Sequence, residues 1–321
     1  MFKWKKIRHI FNPTTIENRP IWMNEFAQAP NTLIFENFVR VYFSCRPRRL
    51  KNGQFTTHST FLDLDIKDLT KIIYISNKPV LKLGKKGCFD EFGTYPFSPI
   101  KTNDRFLAFY AGWTRCVSVP FDIAIGICES KDAKVYKKLG DGPVLSASLN
   151  EPFTISSPKI RKFNDMYYLF YVSGSKWNLI NNRKEMALKI RAAKSVDGFN
   201  WTRFDKNIIE DKLGLTESQA SPDVIFKNGK YHIFFDYWSS ESFRKTKYRT
   251  LGYAYSKDLI NWTREDSKVG ITVSQEKNAF DNEMIAYPHV FEIDKKIYML
   301  YLGNEVGRYG FGLAKLEGEL T

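Results

Sequence analysis

The sequence predicts an all-β fold, a five-bladed β-propeller with four antiparallel strands in each blade. Three observations predict it. Five prolines, Pro30, Pro96, Pro158, Pro222 and Pro288, stand 66, 62, 64 and 66 residues apart, and five such units account for the whole chain. A period of several tens of residues with strands in every unit is the mark of a propeller. Each proline also introduces a strand–turn–strand run. In the fourth unit, Asp223-Val-Ile-Phe-Lys-Asn-Gly-Lys-Tyr-His-Ile-Phe-Phe-Asp-Tyr-Trp238 sets an Asn-Gly turn between two β-rich runs, the strongest short hairpin signal available. The later part of the unit repeats as well: 193–203 matches 254–264 in Ser, Asp, Asn, Trp, Thr and Arg at a displacement of 61.

The units run over about 12–75, 76–145, 146–208, 209–270 and 271–321, as one domain. The first offers Leu33-Ile-Phe35 and Val39-Arg-Val-Tyr-Phe43 as its inner pair of strands, and the second offers Phe106-Leu-Ala-Phe-Tyr110. The third offers Tyr167-Tyr-Leu-Phe-Tyr171, and the fifth Val290-Phe291 with Ile297-Tyr-Met-Leu-Tyr301. A third strand, a polar turn and a fourth strand follow near Asn200-Trp201 and Asn261-Trp262, with a shorter copy at Cys128-Glu-Ser-Lys-Asp132. Helical periodicity is confined to a short stretch, Asp63 to Leu69. The fifth unit ends after its third strand, Phe311-Gly-Leu-Ala-Lys315. An open sheet edge invites aggregation, so residues near Lys6–Phe11 are expected to supply the missing strand and close the ring.

Hydrophobic residues make up 43% and charged residues 26% of the 321, the balance of a soluble globular chain. No apolar stretch is long enough to cross a bilayer. The basic start, 1–11, lacks the continuous apolar core and small-residue cleavage site of a signal peptide. Cys45, Cys88, Cys116 and Cys128 form no Cys-x-x-Cys pair, so free thiols in a reducing, cytoplasmic setting are expected. The net charge of +14 is scattered rather than blocked. It fits a generally basic surface, or attraction to a phosphate-bearing sugar donor, an acidic glycan or a membrane. No nucleic-acid module accompanies it. Lys3, Lys5, Lys6 and Arg8, with Phe2, Trp4 and Phe11, offer a peripheral lipid contact too short to anchor alone.

In a propeller the first strand of each blade lines the channel, and the loops entering those strands meet at one end. Glutamates stand five residues before four of the prolines, at Glu25, Glu91, Glu217 and Glu283, while the third unit carries Glu151 instead. The ring is therefore expected to gather carboxylates into one funnel. Glycosidic-bond chemistry needs two carboxyl groups about 5–10 Å apart, one as acid and one as base or nucleophile, and crowding pushes their pKa values apart. Glu151 and Glu217 are the acid/base candidates, with Asp90, Asp281 and Glu283 as partner carboxylates. Each taken alone could equally cap strand-end amides. Arg46, Trp113, Arg115, Lys176, Trp177, Tyr237 and Trp238 follow second strands and are the substrate-binding candidates, since Trp stacks on sugar rings and Arg binds oxyanions in a fork. Trp201 and Trp262 are expected to pack between blades. His289, next to Pro288, reads as a satisfied core histidine, with a ligand of a channel ion as the alternative.

Several stretches carry a resemblance that covers essentially the whole chain: Ala27-Gln-Ala-Pro30, Phe89-Asp90, Tyr110-Ala-Gly-Trp113, Glu151-Pro-Phe153, Tyr171-Val-Ser-Gly-Ser-Lys-Trp177, Ser221-Pro222, Tyr287-Pro288 and Tyr309-Gly-Phe-Gly-Leu-Ala314. The chain resembles the five-bladed propeller superfamily of glycosidases that includes families 32, 43, 68 and 130, and within it glycosidase-like proteins of surface-polysaccharide gene clusters. The resemblance implies an enzyme acting on glycosidic bonds. Hydrolases of families 32 and 43 present an inner-strand Asp in the first blade, whereas Gln28-Ala29-Pro30 stands here, a departure that points away from ordinary hydrolysis. Phosphorolysis, or transfer from an activated sugar, is the alternative that Arg46, Arg115 and Lys176 would suit, and a non-catalytic sugar-binding propeller is another. No cofactor is implied; a channel-bound cation or a nucleotide-sugar donor stays open.

Overall fold

Five four-stranded antiparallel sheets stand around one axis. The computed structural model describes residues 2–49, 55–246 and 248–321. The chain opens with β1 (Lys3–Phe11) and then lays down the first blade as β2 (Glu25–Ile34), β3 (Phe38–Arg46), β4 (His58–Asp65) and β5 (Ile72–Ile75). The second blade is β6 (Gly93–Lys101), β7 (Phe106–Arg115), β8 (Phe121–Ser130) and β9 (Lys137–Lys138). The third is β10 (Ile155–Phe163), β11 (Met166–Ile180), β12 (Arg183–Ser195) and β13 (Thr202–Arg203). The fourth is β14 (Glu217–Lys227), β15 (Lys230–Ser239), β16 (Thr250–Ser256) and β17 (Thr263–Arg264), and the fifth holds β18 (Ala286–Ile293), β19 (Lys296–Leu302) and β20 (Phe311–Glu317).

Local chemistry explains the repeats. Asn228 and Gly229 both take positive φ, 49° and 75°, and join Lys227 to Lys230 across the expected two-residue turn. The recurrent Ser-x-Asp is a turn device: Ser195 donates to Asp197 at 2.9 Å, whose Oδ1 accepts the amides of Phe199 and Asn200 at 2.8 Å. Ser256 and Asp258 repeat it with the amides of Ile260 and Asn261. Trp201 and Trp262, which follow these turns, meet Phe109 and Phe170 edge-on. The stretch 63–69 is not helical. Asp63 ends up on β4, where its carboxylate takes both Nε and Nη2 of buried Arg40 at 2.8 Å, and a turn follows.

The fifth blade closes as expected, and further out than expected. All of β1 pairs antiparallel with β20, from Lys3 opposite Glu317 to Phe11 opposite Phe311. Trp4 and Phe11 are buried at 3% and 2% exposure, which holds the strand from its inner face. A hydrophobic cluster fills each gap between neighbouring blades. Phe11, Phe43, Leu300 and Phe311 join the fifth to the first, and Trp4, Phe234, Tyr253 and Met299 join the fourth to the fifth. No helix among the described residues is long and apolar enough to cross a membrane.

Candidate functional site at the axial mouth

The five prolines that gave the count meet at the axis. Pro30, Pro96, Pro158, Pro222 and Pro288 line one narrow cavity of about 20 Å³, roughly the room of a single water. Every inner strand is bulged there, with register shifts at Gln28/Asn31, Thr94/Phe97, Ser156/Lys159, Ala220/Asp223 and Ala286/His289. Ala29, Ser157, Ser221 and Tyr287, each just before its proline, hold φ between 50° and 52°. Left-handed backbone costs a non-glycine residue about 1 kcal/mol or more and gathers at functional sites. Here four such residues ring one opening.

Below the prolines the channel is plugged. The next residue of four blades, Asn31, Lys159, Asp223 and His289, is buried and polar. His289 Nε2 accepts from the Thr32 amide at 2.9 Å, which leaves the proton on Nδ1, donated to Asp223 at 2.7 Å. Asp223 also takes Arg161, the Val290 amide and the Lys159 ammonium. Burial alone would raise the Asp223 pKa, yet these cations hold it well below the usual carboxylate range. Burial pushes Lys159 down to about 8 and His289 down to about 3. His289 is thus the satisfied core histidine expected, with the Lys159 ammonium beside it.

Above the prolines the mouth is aromatic and basic. Inner strands start at this end and second strands finish at it, so the end of β3 brings Arg46 beside Gln28, whose Oε1 accepts from it at 2.7 Å. The Arg46 guanidinium lies over Phe26 and Phe55 at 4.4 and 4.5 Å, and 6.0 Å from the Tyr95 ring centre. Burial among these rings lowers its pKa. Tyr95 and Tyr287, from the second and fifth blades, share a 2.6 Å hydrogen bond between hydroxyls. Burial, with Tyr287 next, holds Tyr95 well above the ordinary tyrosine value. On the far side Arg249 lies 5.8 Å from the Tyr287 ring, 3.5 Å over Trp238, and donates to Asp236 at 2.9 Å. Asp236 is fully buried and also accepts the Tyr287 amide; burial raises its pKa.

Four of the predicted carboxylates are engaged by partners within their own blades. Asp90, Glu151 and Asp281 each accept from a second-strand tyrosine 20 residues on, namely Tyr110, Tyr171 and Tyr301. Each also meets a base from its blade's outermost strand: Lys138 for Asp90, Arg203 for Glu151, Lys6 for Asp281. Glu217 is bound by Arg264 at 2.5 Å, by Gln219 at 2.9 Å and by the amides of Lys212 and Leu213 at 2.8 Å. All four carboxylates are buried at 1% exposure or less. Each acid is thus tied within its own blade. Glu283 is exposed, with its amide on Asn304.

Of the aromatic and basic candidates, Arg46 and Trp238 reach the mouth. Trp113 adjoins it: its Nε1 donates to Thr57 at 2.8 Å and its ring packs on Phe55, which Arg46 also covers. Arg115 lies over Phe92 at 4.0 Å on the same wall. Trp177 packs on Phe121 and lines a separate cleft between 116–121 and 182–186, beside exposed Lys176. Tyr237 sits under Arg264 at 4.4 Å, in the Glu217 cluster.

No family model matches the chain. Over 315 residues it is 30% identical to the Uncharacterized proteins MT1551 and Rv1502 of two Mycobacterium tuberculosis strains, spanning 98% of this chain and 99% of theirs. The chain belongs to the family of these two mycobacterial proteins. Solved structures share its fold at lower identity. A BT0996 complex with RGII superposes with a TM-score of 0.74 at 16% identity, over 99% of this protein and 93% of that one. A structure from the GH130 family of mannoside phosphorylases, which contains glycoside hydrolases that target β-1,2 mannosidic linkages in Candida mannan, gives 0.67 at 15%, over 97% and 93%. The five-bladed propeller of glycoside hydrolase-like proteins is thereby the fold of this family member.

Tyr95, Tyr287, Asp236 and Arg249 were not among the sequence candidates. The first two had a signal: each directly precedes a counted proline, the position that the bulge turns toward the opening. Asp236 and Arg249 had none, being polar residues of a second strand and of a loop with no local motif.

Proposed function

We propose that the protein is a carbohydrate-active enzyme that acts on glycosidic bonds at its axial mouth, in the metabolism of surface polysaccharide. The observation that carries this reading is the run of contacts from Arg46 through Tyr95 and Tyr287 to Arg249, from four different blades, with Tyr287 on the lining of the proline ring. Aromatic faces with a few convergent polar groups in a concavity are how proteins hold sugars. The glycosidase-like fold supports the same reading by analogy. Four free cysteines fit a reducing, cytoplasmic setting.

Within that reading the reaction is hydrolysis, phosphorolysis or transfer from an activated sugar. Paired, accessible carboxylates are what hydrolysis requires. Glu151 and Glu217, the acid/base candidates of the sequence, could act only by opening their buried ion pairs, and the chemistry proposed at the mouth proceeds without them. Asp236, at the wall of the mouth and with its pKa raised by burial, is the acid we place nearest the bond. One observation favours a second reading, a sugar-binding propeller without turnover: the carboxylates beside the mouth are already engaged, Asp236 with Arg249 and Glu25 with Arg308.

The test is a mass-spectrometric screen of the purified protein on a panel of oligosaccharides, with and without inorganic phosphate and nucleotide sugars. Released, phosphorylated or elongated sugars support the enzyme and name its reaction. Sugars that bind at the mouth yet are never converted give the second reading.

A further inference from the structure

The two guanidiniums at the mouth differ in their partners. Arg249 is matched by Asp236 at 2.9 Å. Arg46 is matched by the neutral amide of Gln28, and among the described residues no carboxylate lies within ion-pair distance of it. The nearest acid influencing it through space, Glu25, is taken by Arg308 at 2.8 Å. Both Arg46 and Arg249 also keep a buried Nε with no hydrogen-bond partner. Buried polar atoms are almost always paired, and here Ser221 Oγ at the proline ring and Thr94 Oγ1 are orphans as well, a cluster of unmet polar groups that calls for a ligand. Between the arginines stand Tyr95 and Tyr287, whose mutual hydrogen bond uses one hydroxyl proton and leaves the other.

We infer that this mouth selects a sugar carrying an anionic group, a phosphate or a carboxylate, which sits between Arg46 and Arg249 and takes a hydrogen bond from the tyrosine pair. The inference rests on the mouth being the substrate site, and narrows its substrate to acidic sugars. A neutral sugar would supply hydroxyls for the orphaned N–H groups but would leave the Arg46 charge uncompensated among Phe26, Phe55 and Tyr95. An oxyanion does both, because its two oxygens match the edge of a guanidinium. Packing of Arg46 over the rings uses its flat face; Gln28 takes one Nη2 proton, and the Nε–H stays without a partner for the ligand.

The experiment is calorimetric titration at low salt with inorganic phosphate, glucose 1-phosphate, glucuronate and glucose. The wild type is compared with Arg46→Gln and with Tyr95→Phe, and circular dichroism checks that each variant is folded. At least one anionic probe is expected to bind about tenfold or more tighter than glucose, an advantage that Arg46→Gln removes and Tyr95→Phe weakens several-fold. Binding by both phosphate probes assigns a phosphate, and binding by glucuronate alone a carboxylate. No preference for any anionic probe, or a preference that survives Arg46→Gln, overturns the inference. If glucose and neutral oligosaccharides still bind and lose affinity in Tyr95→Phe, the mouth remains the substrate site. If no variant changes the binding of any sugar, the mouth reading itself fails.

Discussion

His289 shows how a single side chain is specified by its ring position. It is held neutral, because burial and the nearby Lys159 charge push its pKa from 6.5 to about 3. Between those values the unfolded chain binds a proton at this position and the folded chain does not, so stability falls as pH drops from about 6.5 toward 3, by about 1.4 kcal/mol per pH unit. Asp223, with its depressed pKa, adds loss in the same direction at more acid pH. Urea unfolding from pH 7 to pH 4 is expected to show this slope, and His289→Gln to flatten it; parallel profiles would contradict the assignment. Glu217 carries a second residue-scale prediction. Arg264 and Glu217 are 2% and 0% exposed, and removing one charge of a buried pair costs about 3 kcal/mol or more. Glu217→Gln should therefore lower the denaturation midpoint markedly while leaving ligand binding at the mouth intact.

At the scale of elements, β1 determines whether the ring is closed. It buries Trp4, Ile10 and Phe11 and gives the fifth blade its outer strand. Deleting residues 2–11 removes on the order of 5–10 kcal/mol of apolar burial, comparable to a domain's whole stability, and should yield protein that fails to fold or aggregates. Phe11→Ala is the milder form, with an expected loss of about 3–5 kcal/mol. A deletion variant with an unchanged melting temperature would show that the ring closes without β1. This strand was legible in advance because the fifth unit visibly lacked its fourth strand. The strand's start is marked only by Trp4, buried between exposed Lys3 and Lys5, a single alternation too short to stand out in the sequence.

Over the whole molecule, the features that were legible are those that repeat. Proline spacing, the Asn228-Gly229 turn and the Ser-x-Asp turns are local, and each copy reinforced the others until the blade count was fixed. The site is a different kind of object. Asp90, Glu151, Glu217 and Asp281 repeat as well, and they repeat because four of the five blades use an acid to grip their own tyrosine or outer-strand base. A residue needed once, at one mouth, has no reason to recur in every blade. Arg249 and Asp236 occur in one blade only, and their meeting with Tyr95 and Tyr287 depends on ring closure, which no local spacing encodes. Arg46 was found because it follows a second strand, where strand direction alone points to the mouth.

The central claim is that ligand and chemistry belong to this unrepeated mouth and not to the repeated acids. It is tested most directly on the first sugar substrate or ligand identified, by comparing the double variant Arg46→Gln/Tyr287→Phe with Glu217→Gln, each corrected for its folded fraction. The mouth variant is predicted to lose about a hundredfold or more in kcat/KM or affinity, and Glu217→Gln to stay within a few-fold of wild type. A mouth variant that keeps wild-type function, with Glu217→Gln abolishing it, would contradict the account and return the site to the repeated carboxylates.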